Sequence, residues 1–99
     1  MGRVMARTTR EDIRVWLERG KAQNARWMIV ACDTFSYEDF PVFVEDDEAA
    51  FWKEYDAHSK PDAMLKIMEV YDYRLPLEDQ IAEHRARHIP ERPKKQEQQ

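Results

Sequence analysis

Between Cys32 and Val44 the chain reads CDTFSYEDFPVFV, setting a thiol, three carboxylates, two hydroxyls and a proline among aromatic rings. A cysteine nucleophile needs a nearby base and a positive field to form thiolate. The immediate neighbours of Cys32 are acidic and would raise its pKa. Cys32 also alternates with Met28 and Val30, the spacing of one strand face, so it reads as core. Asp33, Glu38 and Asp39 could share a hard divalent cation or work as an acid and base pair. Their spacing fits no metal loop, and Asp, Ser and Thr are also the residues that turns use to bond their own backbone.

A second cluster lies near the C-terminus. His84 and His88, four apart, would share one face of a helix and are weak candidates for a metal such as zinc. The order EHRARH is not that of a helical zinc hydrolase, and no third ligand is evident. A third set is aromatic. Phe35, Tyr37 and Phe40 fall in one predicted loop, with Thr34 just before it, where rings can stack on a base or fill a partner's pocket. Glycine-rich phosphate loops are excluded, because the chain has only 2 glycines.

The frame that must position these residues is small. At 99 residues, 42% hydrophobic and 36% charged, the chain suits a single domain with one modest core and a densely charged surface. We expect a flexible segment over residues 1–8, an α+β domain over 9–89 and a disordered basic and polar tail over 90–99. The run 27–32 is too short to span a bilayer, no secretory signal is visible, and 1 cysteine offers no internal disulfide; a cytoplasmic location is expected. Net charge is −4, with bases at both ends and acids in the middle. That middle would repel phosphate, leaving a groove built from the two basic ends as the one route to nucleic acid.

Thr8 followed by Glu11 has capping-box spacing, predicting a helix that starts at Thr8 or Thr9, buries Ile13, Trp16 and Leu17, and stops near Asn24. Gly20 marks either an early stop or a close approach. Residues 27–34 read as a central strand covered on both faces, and 41–45 as a second strand with Pro41 at its start or on an edge. Residues 35–40 form the wide loop between them. Acids at 46–48 precede a helix over 49–58 that buries Phe51 and Tyr55. Residues 64–75 suit a strand whose alternation slips near Met68, as at a bulge. Pro76 opens a last helix, with Leu77, Ile81, His84 and His88 along one stripe until Pro90. The predicted order is α-β-β-α-β-α: a small antiparallel sheet of about three strands with helices packed on it.

WLERGK, MIVACDTFSYEDFPVFV, MEVY and LEDQIAEHRARH together resemble a group of small uncharacterised proteins encoded by phages and prophages. The resemblance spans roughly residues 9–88, with Asn24 and Trp27 departing from the pattern. It implies a phage-type accessory protein in the host cytoplasm that binds a target, possible targets being a host protein or a small signal of host defence. The surplus of aromatic and Met residues suggests a homo-oligomer. We therefore expect a non-catalytic binder of a small anionic, nucleotide-like ligand or of a host protein, with no cofactor. Its contacts would be Asp33, Thr34, Phe35, Tyr37, Glu38, Asp39 and Phe40, with Arg26, Arg74, Arg85 and Arg87 as phosphate partners. The alternatives are a small metal-dependent hydrolase using Asp33, Glu38 and Asp39, and a nucleic-acid-binding accessory protein.

Overall fold

The structure, a computed structural model, describes residues 8–83 and 85–93. The expectations for residues 1–7, for His84 and for residues 94–99 fall outside the described residues. Among those described, helix α1 (Arg10–Ala22) leads to strands β1 (Trp27–Asp33) and β2 (Glu38–Val44), helix α2 (Glu48–Ala57), strand β3 (Leu65–Asp72) and helix α3 (Leu77–Ala82). The order is the predicted one, and the three strands form an antiparallel sheet in the order β2-β1-β3.

Helix α1 begins one residue later than Thr8 with Glu11 would place it. Thr9 is the cap: its hydroxyl accepts from the Asp12 N–H at 3.0 Å, while the Asp12 carboxylate accepts from the Thr9 N–H at 2.9 Å. The helix ends at Ala22, and Asn24 takes the left-handed conformation, φ 60°, that turns the chain into β1. Gly20 lies inside the helix because a Cβ there would meet the Tyr73 hydroxyl and, at 2.7 Å, the Phe43 ring. The close approach comes from side chains of β2 and of the segment after β3.

β1 is buried from Trp27 through Cys32, as a strand covered on both faces must be. Met28 and Val30 pack with Ile13 and Leu17 of α1, Tyr71 of β3 and Ile81 of α3. On the other face Trp27 and Ile29 pack with Val44, Val70 and Phe51 of α2. The register slips between Val30 and Ala31, where Glu69 and then Ile67 are the partners on β3, leaving Met68 as the extra bulge residue that the sequence foreshadows.

Two expectations need correction. β2 starts at Glu38 rather than Pro41, so the connecting turn is only residues 34–37, and Pro41 sits inside a strand. The strand tolerates proline because β2 is an edge, with no ladder to feed on its outer side. The last helix stops at Ala82, well short of His88. Backbone pairing with the sheet outcompetes the helix there: the Val70 N–H donates to Ala86 O at 2.8 Å and the His88 N–H donates to Val70 O at 3.0 Å. This C-terminal strap runs parallel to β3 on its outer side. It then places Ile89 against the Phe51 cluster and Arg92 over the Trp52 ring at 4.0 Å.

Candidate functional site

The turn at residues 34–37 is built by Asp33. Its carboxylate accepts from the Phe35 N–H at 2.8 Å and from the Ser36 N–H at 3.4 Å, and the Tyr37 N–H returns to Asp33 O at 2.6 Å. Asp33 is therefore engaged in shaping the turn. The Thr34 N–H donates to Met64 O at 2.9 Å, pinning the turn to the start of β3. Phe35 and Tyr37 are 77% and 73% exposed, Tyr37 with a positive φ of 61°.

Strand alternation then separates the carboxylates that the sequence sets side by side. Glu38 pairs with Asp33 on the Ala31 face, whereas Asp39 pairs with Cys32 on the opposite face. The proposed Asp33, Glu38 and Asp39 cluster does not converge, and no group of three or more His, Cys, Asp or Glu that could hold a metal gathers among the described residues. Phe40 shares the Ala31 face and meets the His58 ring of the α2 C-cap at 5.9 Å, so it leaves the turn cluster for the core side. His88 stands in the strap, its Nε2 3.0 Å from the Glu83 carboxylate, rather than on a helical stripe.

On the Cys32 face the far end of the sheet opens into a groove of about 420 Å³. Tyr37 comes from the turn, Asp39 from β2, Lys66 from β3 and Arg85 from the strap, over a floor of Ile13, Val30, Cys32 and Met68. Beneath it lies a polar network. Glu69, 8% exposed, accepts from the Tyr71 hydroxyl and from Arg10 at 3.1 Å; Arg10 also donates to Tyr71 Oη at 3.2 Å and to Ile81 O at 3.1 Å. Burial, with Glu69 beside it, pushes the Tyr71 phenol well above its usual range, so it stays a donor at neutral pH. Burial and then Asp39 push the Cys32 thiol up, so it is no thiolate nucleophile. Arg10 neutralises Glu69, which leaves Lys66 and Arg85 facing Asp39 alone as the groove's remaining charges.

The other predicted arginines lie elsewhere. Arg26 and Arg74 line a larger groove of about 820 Å³ between α1, α3 and the segment after β3. Both guanidinium groups stand over the buried Trp27 ring, at 4.5 and 5.2 Å. Arg74 also forks onto Asp72 at 3.2 and 3.1 Å, and Arg26 donates to Asp46 O at 3.3 Å. Arg87 is exposed on the strap beside Val70. Of the residues picked from sequence, Tyr37, Asp39 and Arg85 are thus brought together and Arg26, Arg74 and Arg87 are not.

Sequence reasoning passed over Arg10, Glu69 and Lys66. Two of them carry a signal. Arg10 is a cation in the first turn of a helix, where the macrodipole disfavours it, which calls for a tertiary anion. Glu69 is a carboxylate amid the apolar strand residues of MEVY, where only a partner makes burial tolerable. Lys66 looks like any surface lysine until the register sets it beside Cys32.

Neither family models, curated proteins nor solved structures give a match to this chain. What the grooves can do therefore follows from their own residues.

Proposed function

We propose that the chain is a non-catalytic binding protein that holds a small anionic ligand with an aromatic ring, nucleotide-like in chemistry, in the groove over Cys32. The carrying observation is the meeting of Tyr37, Lys66 and Arg85, from a turn, a strand and the strap, around a volume of about 420 Å³. Pockets of this size suit small organic ligands, whose apolar body takes the floor while a few polar groups fix orientation. Here the ring packs between Tyr37 and Met68, and the anionic group meets Lys66 and the planar fork of Arg85. The thiol stays protonated below, and Glu69 is paired with Arg10, a set we read as holding a ligand rather than transforming it. The resemblance to phage and prophage proteins supports an accessory role, in which such a host signal is sequestered. Blocking a host protein is the other action open to an accessory protein of this type, and the groove's volume with Lys66 and Arg85 on its wall favours the small ligand.

Titration calorimetry with a panel of nucleoside monophosphates and cyclic dinucleotides tests this directly. At least one member is expected to bind with one site per chain. Arg85→Glu and Lys66→Glu should each weaken it by roughly tenfold or more, since charge-assisted bonds are about twice as strong as neutral ones. A panel that produces no heat and no thermal shift, or binding that both reversals leave unchanged, would overturn the assignment.

A further inference from the structure

The larger groove, between α1 and α3, has a different character. Along α1 its wall runs Glu11, Arg14, Val15, Glu18, Lys21, and across from them stand Tyr73, Leu77, Glu78 and Ile81. These α1 residues lie three and four apart and so form one stripe, exposed throughout, with Val15 50% exposed at its centre. Acid and base alternate on this stripe around an apolar middle. Arg26 and Arg74 at the groove's end are held by Glu48 and Asp72, so along α1 a surface with the same alternation in reverse is the matching partner.

The chain itself supplies that surface. We infer that this face is the interface of a two-fold dimer in which α1 packs antiparallel to α1 of a second copy, each helix resting in the other's groove. When two such helices pair about residue 16, Glu11 of each copy meets Lys21 of the other, and Arg14 of each meets Glu18 of the other. At about 1.5 Å per residue the two Val15 side chains then fall within about 3 Å of each other along the axis. They close the apolar middle over Tyr73 and Leu77. Every contact is repeated by symmetry, as an isologous interface demands. Pairing about residue 14.5 would set Glu11 against Glu18, and pairing about 15 or 15.5 would leave Arg14 opposite Trp16 or Leu17, so charge favours pairing about residue 16. Arg14 already lies on Glu78, at 2.8 Å, which holds it in place on the groove wall. The inference is independent of the ligand groove, which opens on the other side of α1's first turn.

Charge reversal in the full chain tests it, read by native mass spectrometry and sedimentation over a concentration series. The unaltered chain is expected to be a dimer that weakens with added salt. Glu11→Lys and Lys21→Glu should each weaken the dimer roughly tenfold, because symmetry turns one substitution into two broken pairs. The double variant carrying both changes should recover the dimer. Far-UV circular dichroism should match across all chains, since both residues are exposed, while thermal midpoints should fall in the singles as the dimer weakens. A monomer at every concentration, a dimer that the single reversals leave intact, or a double variant no tighter than the singles would each overturn the inference.

Discussion

On the Trp27 face of the sheet, Phe51 touches Trp27, Trp52 and Tyr55 ring to ring, with centroids 5.1 to 5.8 Å apart, whereas on the Cys32 face the space beyond Val30 is held by Arg10, Glu69 and Tyr71 through hydrogen bonds. The first face is closed by α2 and by the strap, and among the described residues the Trp27 indole N–H is buried there without a partner. The second is roofed by α1 and α3, and the smaller groove opens on it beside Arg10 and Ile13 of α1. Apolar packing is strongest where it is complete, while a polar network tolerates the water and the vacant volume that a binding groove needs. The apolar core and the proposed binding groove thereby lie on opposite sides of one strand, β1, whose alternating residues face both.

Truncating the aromatic hub should break this contrast most severely. Phe51 is fully buried, and Phe51→Ala removes ring contacts on three sides and leaves a cavity, so it should cost about 3–5 kcal/mol in chemical denaturation. A domain of this size has only about 5–15 kcal/mol in total. Loss of less than about 1 kcal/mol would mean that the face repacks and is no rigid core.

On the opposite face, Glu69→Ala leaves the Tyr71 hydroxyl and part of Arg10 without an acceptor. The expected cost is about 1–3 kcal/mol, the penalty for stranding buried polar groups. Glu69→Gln keeps an acceptor and should lie between the variant and the unaltered chain. If Glu69→Ala were instead neutral, water must already reach the network, and the groove would extend deeper than Met68.

The architecture was legible in the sequence to a large degree, for reasons that can be named. Uninterrupted burial of residues 27–32 marks a central strand, the phase slip near Met68 marks a bulge, and the acids at 46–48 mark the start of α2, where Asp47 caps Ala50 at 3.0 Å. What failed was decided by contacts distant along the chain. Helical periodicity from Leu77 to His88 is genuine, yet Val70 offers an open strand edge, and only the folded sheet reveals that Ala86 and His88 will take it. The site was half legible for the same reason. Tyr37 and Asp39 could be picked from loop composition, while Glu38 and Asp39, adjacent in sequence, point to opposite faces once β2 begins at Glu38. Lys66 and Arg10 join the groove through register and helix placement, which no local pattern records.

The smallest effect belongs to the strap's end, where it tells two forces apart. Arg92 forks onto Asp56 at 3.1 Å for each bond and also covers the Trp52 ring at 4.0 Å. Hydrogen bonding to Arg92 holds the Asp56 carboxyl below its usual range. A group whose pKa is lower in the folded state adds stability above its unfolded value, near 3.9, and loses that stability as pH falls through the folded value. The difference in thermal midpoint between the unaltered chain and Arg92→Ala should therefore be flat around neutral pH and shrink as acid protonates Asp56. It should not vanish, because the guanidinium keeps its charge in acid and its contact with the indole does not titrate. Asp56→Asn removes only the ion pair, so its midpoint deficit should fade over the same acid range, whereas the residue left in Arg92→Ala measures the stacking alone. A deficit in Arg92→Ala that ignored pH altogether would assign the strap's anchoring to Trp52 and reduce the ion pair to a bystander on the surface.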